Sequence, residues 1–540
     1  FLSEMLGVFL AALVAVLMAL GFCFLFVRRY LEPEPPSYIV VLIGSTAISL
    51  ALLALLLVPV DIFVVSGNLQ ADGSQVDAEE VAGAGQALKK TYYGLYSVMF
   101  TFVFFVLPFT YIYFDEQASP DDEHSLSTRK ERFRRAGKGV AVSAAAFVLF
   151  VCLGAFVKSQ PTDTTDNEWI TQLSSFSQGD GVVSFVLGVL AIAGLMGWVL
   201  YTTYGLASIP VEFLKTRVAR RNSTTQRAAD EAVIDKQLED NRREQSVLTA
   251  KYDLSTNPWR KRDKKQLKVL KKEEKQLETQ KENLVAPRNV QGRTDLHDKH
   301  LLWNSMAPLR WFVSSVVWLS SLLVVVSLLV SSIDHFLNSK CGLSCSFSMN
   351  QGTLFNPMDE LFKALSAVFP LDFVVFAVLC SHIFCATARG LVRFGPRLAW
   401  VQLHPIQKRE TSPHGILVSG WVLMLVVLNF NLQLLNVSPY YTTFGHQTYL
   451  PVNSTQATDC SLDELNLSDV CHASQISLLV LKMSTHLPLL TNITFFGNIL
   501  FVLMWGVFQV MVLCQFRQTR GVARSTAFSD AEKYLFADDD

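Results

Sequence analysis

Long apolar blocks alternate with polar stretches along the chain, and nine of the blocks are long enough to cross a bilayer. They cover residues 5–27, 38–66, 92–114, 136–157, 181–209, 309–333, 360–388, 415–437 and 492–514. About 20 helical residues span a hydrocarbon core roughly 30 Å thick. Lipid offers no partner to a bare backbone N–H or C=O, so each block is predicted to be a helix. A barrel would instead need alternating segments of about 10 residues, and the sequence does not contain them. The pattern therefore predicts an all-α, polytopic membrane helical bundle with about nine transmembrane helices. The first block is too long for a signal-peptide core and lacks a small-residue cleavage site, so it reads as a retained span. Pro59, Pro108, Pro210 and Pro370 fall inside or at the ends of blocks, where kinks are expected. The apolar stretch within 474–491 is broken by Lys482, His486 and Pro488 and reads as an interfacial helix.

The same pattern divides the chain into four parts. A first five-helix block covers 1–209, an insert 210–308, a second four-helix block 309–516 with a loop at 438–491, and a tail 517–540. Within the insert, residues 226–285 are rich in Glu, Lys, Gln and Leu. Val233, Leu238, Val247 and Leu248 form one stripe, Leu270, Leu277 and Leu284 a heptad repeat, and Asp253 to Pro258 a break between them. That predicts an antiparallel helical hairpin with a narrow coiled-coil seam. At its tip, Arg260, Lys261, Arg262, Lys264 and Lys265 follow Trp259. This run reads either as a contact for anionic membrane lipid or as a solvated tip. No nucleic-acid recognition module accompanies it. Asp298-Lys-His-Leu-Leu reads as an acidic di-leucine sorting signal or as the start of an amphipathic helix.

Charge orients the bundle. Half of the 540 residues are hydrophobic, 17% are charged and the net charge is −1, so only the distribution of charge is informative. Segments 28–37, 115–135, 389–414 and 515–540 together hold 16 Lys and Arg, against 5 in 67–91, 158–180, 334–359 and 438–491. By the positive-inside rule the first set is cytosolic, together with the insert. The N-terminus is then lumenal or extracellular and the C-terminus cytosolic. Sequons agree with this: Asn436, Asn453, Asn466 and Asn492 lie in or beside loop 438–491, with Asn436 and Asn492 close to the membrane. Asn222 carries a sequon on the opposite side, where it should stay unused. Of nine cysteines, Cys341, Cys345, Cys460 and Cys471 fall in the lumenal loops. Cys460 and Cys471 bracket a short polar loop and favour a disulfide, and Cys341 and Cys345 are a tighter second pair.

Candidate chemistry is sparse. Walker A, His-Glu-x-x-His, Gly-x-Ser-x-Gly and Cys-x-x-Cys signatures do not occur, so neither an enzyme nor a self-sufficient ATP-driven pump is expected. Ionisable residues inside spans are costly and mark either a polar path or a local structural need. Asp61 follows Pro59 and Asp372 follows Pro370, two Pro-x-Asp units in different blocks, and His382 lies further along the seventh span. Both readings stay open for these three.

Several of these stretches resemble a known family. Val58-Pro-Val-Asp-Ile-Phe-Val-Val-Ser, Tyr92-Tyr-Gly-Leu-Tyr-Ser-Val, Leu107-Pro-Phe-Thr-Tyr-Ile-Tyr-Phe-Asp-Glu, Thr203-Tyr-Gly-Leu-Ala-Ser-Ile-Pro, Val368-Phe-Pro-Leu-Asp and Tyr440-Tyr-Thr-Thr-Phe-Gly-His-Gln-Thr-Tyr-Leu resemble the lipocalin-receptor-like (limb region 1-like) membrane proteins. The resemblance implies a lysosomal membrane glycoprotein that cobalamin needs to leave the lysosome. It implies a partner ABC-type cobalamin exporter that supplies the ATPase, with cobalamin as transported or bound ligand and no intrinsic cofactor. It further implies homodimers and a plasma-membrane role with the endocytic machinery. Three functions follow as expectations: an escort or adaptor for the exporter, a transporter using Asp61 and Asp372, or an endocytic receptor whose loop 438–491 binds ligand.

Overall fold

The apolar blocks do fold as helices. The computed structural model describes residues 2–31, 38–66, 78–115, 129–156, 178–214, 224–253, 306–338, 354–398, 411–449, 458–460 and 471–535, with positions 267, 270, 271, 274, 277, 401, 402, 404 and 406. In chain order α1 is Leu2–Tyr30 and α2 is Tyr38–Ser66. Helix α3 (Ala78–Thr101) passes through a π-helical turn (Phe102–Val106) into α4 (Leu107–Asp115), and α5 is Arg129–Phe156. Helix α6 (Gln178–Gly197) passes through a second π turn (Trp198–Thr202) into α7 (Thr203–Leu214), and α8 is Thr224–Asp253. Then come α9 (Ala307–Asn338), α10 (Pro357–Leu365), α11 (Leu371–Phe394) and α12 (Pro413–Val437). The last are α13 (Pro439–Phe444), α14 (Gln475–His486) and α15 (Pro488–Leu535). Two short antiparallel ladders pair β1 (Arg397–Leu398) with β2 (Val401–Gln402), and β3 (Thr448–Tyr449) with β4 (Thr458–Asp459).

Eight helical stretches among the described residues have the length and composition to cross a membrane. They match every predicted block except the first, which falls on the 29-residue α1. The protein is an all-α polytopic membrane protein. One boundary needs correction: the block at 360–388 is broken. Its first residues form α10, and the span itself is α11, ending at Phe394. Pro370 is thus the residue before a helix and not a kink within one, whereas Pro59 does lie inside α2. Helix α14 is short, as expected, but it packs into protein through Ile476, Leu479, Val480 and Met483.

Two compact units result, residues 1–213 with 313–540, and residues 214–312. In the first, α12 is the central post, buried along nearly its whole length against α6 and α2. Around Trp198 an aromatic layer forms, with Phe501 stacked at 4.8 Å and Phe430 at 5.2 Å. Small residues let helices approach closely. Gly390 of α11 lies against the Tyr201 carbonyl, where a Cβ would overlap it, and Thr202 and Thr387 bond across the contact at 2.8 Å. Proline chemistry explains another contact. Pro108 has no N–H to offer the carbonyl of residue 104, and Ser143 of α5 donates to that Phe104 carbonyl at 2.6 Å.

In the second unit, α8 pairs with the helical positions at 267–277. Arg242 bonds Glu274 at 2.7 Å and Gln245 bonds it at 2.8 Å, while Leu238 and Leu270 are buried. Val247, placed on the seam by the sequence pattern, is 64% exposed. Asn241 occupies the seam instead, bonded by Gln245 at 2.8 Å, so this hairpin is partly polar inside.

Candidate functional site

Three helices deliver a carboxylate to one end of the bundle, the end that carries the Cys460–Cys471 disulfide. Asp61 stands two residues past Pro59 in α2, Asp359 in the first turn of α10, and Asp372 in the first turn of α11. Asp61 and Asp372 are fully buried. A buried carboxylate must be matched by donors or charge. All three are matched by one stretch of chain, residues 438–477.

Asp61 accepts from the backbone N–H of Gln475 at 3.1 Å and of Ile476 at 2.8 Å. These are first-turn donors of α14, which no helical carbonyl can satisfy, at the positive end of the helix dipole. Ser474, the cap residue, completes the turn by accepting from Ser477 N–H at 3.2 Å and donating to the Thr442 carbonyl at 2.7 Å. Asp359 does for α13 what Asp61 does for α14. It accepts from Ser438 Oγ at 2.6 Å, Tyr441 N–H at 2.9 Å and Tyr440 N–H at 3.3 Å. Burial pushes the Asp359 carboxyl up to about 6, against the pull of those bonds from Ser438, Tyr441 and Tyr440.

Asp372 accepts from the Tyr441 hydroxyl at 2.9 Å and lies 2.9 Å from His446 Nδ1 through the same oxygen. Its other oxygen is buried without a partner. Burial, and then the Asp372 charge, hold the Tyr441 hydroxyl well above its ordinary range, so it keeps its proton and donates the hydrogen bond. Tyr441 also stacks on Phe362 at 4.6 Å.

The stretch is locked further by Gly445, Gln447 and the disulfide. Gly445 has φ +64°, and a Cβ there would overlap Ser66 Oγ, so both backbone and space call for glycine. His446 N–H then donates to Ser66 Oγ at 3.3 Å. The buried Gln447 donates to the carbonyls of Val65 at 3.2 Å and His472 at 2.8 Å, and accepts from His472 N–H at 2.7 Å. Cys460 and Cys471 are bonded beside it, and Lys363 of α10 pairs with Asp459.

The site is therefore a clamp. Its carboxylates face amide N–H groups, hydroxyls and an imidazole of the chain itself, with one Asp372 oxygen left over. The sequence-derived polar residues do not share a single route, because His382 lies apart from both aspartates and meets Ser321 of α9 at 3.3 Å. Asp359 carries no signal in the sequence pattern, and Gly445, His446 and Gln447 stand out there only as part of the stretch 440–450 that bears the family resemblance. A Ser-Pro start at 438–439 and Ser474 were the available signals of two helix N-termini needing partners. Among the sequons, Asn436 is corrected. It is fully buried in α12, its amide bonded to Gln433 at 2.9 Å, and leaves no room for a glycan. Asn492 is partly buried in α15. Asn222, Asn453, Asn466, Cys341, Cys345 and the basic run Arg260 to Lys265 lie outside the described residues.

A bundle of membrane-crossing helices whose buried carboxylates cap helices of a disulfide-bonded loop defines the class of protein. The particular family follows from comparison: residues 6–460 match the LMBR1-like membrane protein model, and the chain belongs to that family. Its relatives include a protein of Aspergillus clavatus named probable lysosomal cobalamin transporter, 27% identical over 98% of this chain and 95% of that one. Another of the same name from Aspergillus terreus is 29% identical over 93% of this chain and 89% of its own. No solved structure matches the chain.

Proposed function

We propose that this protein serves cobalamin (vitamin B12) transport from lysosome to cytosol as a non-enzymatic escort in the lysosomal membrane, acting with an ABC-type exporter. The names of its relatives support the cargo and the compartment. One observation carries escort over carrier: Asp61 and Asp372 are engaged by the chain's own loop segment. In this reading the disulfide end faces the lumen, the basic segments and the C-terminus face the cytosol, and Asn453 and Asn466 carry glycans. The clamped loop then offers the exporter, or a second copy of this chain, a lumenal face of fixed shape.

The carrier reading draws on a different observation. Asn429, Gln433 and Asn436 of α12 and Asn498 of α15 are buried and leave amide atoms without partners. Such groups belong to a hydrated interior more than to a dry one. Reconstitution separates the two. The protein alone in liposomes should release no enclosed cobalamin, and adding the ABC exporter with ATP should give release that exceeds that of the exporter alone. ATP-independent release by this chain alone would sink the escort reading.

A further inference from the structure

A cleft of about 200 Å³ opens at the end of the bundle opposite the disulfide. Phe22, Phe26 and Tyr30 of α1 form one wall, Phe384 and Arg389 of α11 the other, and Ile48 of α2 the back. Phe22 is 54% exposed and Cys385, also on the lining, is exposed, so the cleft opens sideways from the bundle. At membrane depth such a slot meets acyl chains, not water.

Its polar end is strongly basic. Arg28 and Arg29 close the last turn of α1 beside Tyr30, and Arg393 lies one turn beyond Arg389. Arg28, Arg29 and Arg393 are exposed. Arg389 pairs with Glu212, yet its Nε is buried with no partner. Arg389 is on the cleft lining, and Arg28, Arg29 and Arg393 stand within a turn of the lining residues Tyr30 and Val392. Basic clusters at the mouths of clefts between spans hold anionic headgroups, and a planar guanidinium suits a phosphate.

We propose that this cleft is a binding site for an anionic phospholipid of the adjoining leaflet. One acyl chain lies between α1 and α11, and the phosphate is held by Arg28, Arg29, Arg389 and Arg393. The site does not depend on the cobalamin reading.

The test uses the full chain in nanodiscs of phosphatidylcholine with or without phosphatidylserine. Retained lipid is read by native mass spectrometry, and Cys385 protection by maleimide labelling with peptide mapping. Phosphatidylserine should be retained in preference and should slow labelling of Cys385. Changing Arg28, Arg29 and Arg393 together to Gln touches only exposed side chains. At about 1 kcal/mol for each cation near the surface, preference should fall roughly 100-fold. Ala388→Phe, which fills the cleft and keeps every arginine, should abolish retention as well. Equal retention of both lipids overturns the proposal. So does unchanged retention by Ala388→Phe, or equal protection by inorganic phosphate, which would mark an ion site without an acyl chain.

Discussion

Replacing Asp61 distinguishes a clamp from a conduit. Its two oxygens accept from Gln475 and Ile476 N–H at 3.1 and 2.8 Å, inside protein, at the start of α14. Hydrogen bonds to a charged group contribute about 1.5–3 kcal/mol each, and a buried donor left alone costs about 1–3 kcal/mol. A charge at the helix end adds about 0.3–1 kcal/mol. Asp61→Asn keeps one acceptor, presents an NH₂ to the other donor and loses the charge, so it should cost about 2–3 kcal/mol. Asp61→Ala leaves both donors bare and should cost about 3–5 kcal/mol. Thermal unfolding in detergent, followed by tryptophan fluorescence, should rank wild type above Asn and Asn above Ala. Protease sensitivity of segment 438–477 should rise in the same order, because α14 loses its tether. A conduit predicts the reverse pattern, in which Asn folds with an unchanged midpoint while cobalamin export is lost. That result would refute the clamp.

Three further outcomes follow from the same geometry. The folded Asp359 carboxyl titrates at about 6 against an ordinary 3.8, so the folded form binds its proton more tightly than the unfolded chain. Stability should fall as pH rises from about 4 to about 6 and level off above. Asp359→Asn should flatten that slope, and parallel pH–midpoint curves for the two proteins would rule this out. Gly445→Ala forces a left-handed conformation on a residue with a Cβ and drives that atom into Ser66. It should cost more than about 2 kcal/mol, and adding Ser66→Gly should recover part of the loss in the same unfolding assay. Asn498→Leu removes a fully buried amide with neither atom partnered. It should raise the unfolding midpoint, equivalent to about 1–3 kcal/mol, and a lowered midpoint would mean the amide is satisfied by water.

How far the sequence could be read depends on the range of the interaction involved. Spans were legible because the bilayer imposes a length and a polarity on each segment separately. The start of the seventh span was not. Leu361, Phe362 and Leu365 are as apolar as a span requires, and only the fold shows that Phe362 is stacked on Tyr441 in a separate helix. Leu238 and Leu270 were legible as seam positions of the insert, but Val247 against Asn241 was not, since the actual seam includes an amide held by a neighbouring glutamine. Asp61 and Asp372 stood out because charge is rare in such segments. Their partners did not, because the donors to Asp61 lie more than 400 residues further along the chain. Composition cannot report a contact of that separation.

The two Pro-x-Asp units look alike in sequence, yet the fold uses them differently. In α2 the proline lies inside a continuing helix and the carboxylate reaches sideways to the N-terminus of α14. In α11 the proline precedes the helix, and the carboxylate sits in its first turn, bound to Tyr441 and His446. With Asp359 of α10, both act on the stretch between α12 and α15. That stretch starts two helices, α13 and α14, in half-buried to buried surroundings, and each start leaves backbone donors without a helical partner. A neutral serine cap satisfies one such donor, whereas a carboxylate satisfies two and opposes the helix dipole as well. The need for charge there is set by where the helices begin. One consequence is mechanical: the stretch is tied at once to α2, α10 and α11, so a partner that shifts it must move those helices or break a charge-assisted bond. Binding at the disulfide end is thereby coupled to helices that cross the bundle, without a carboxylate lining any passage.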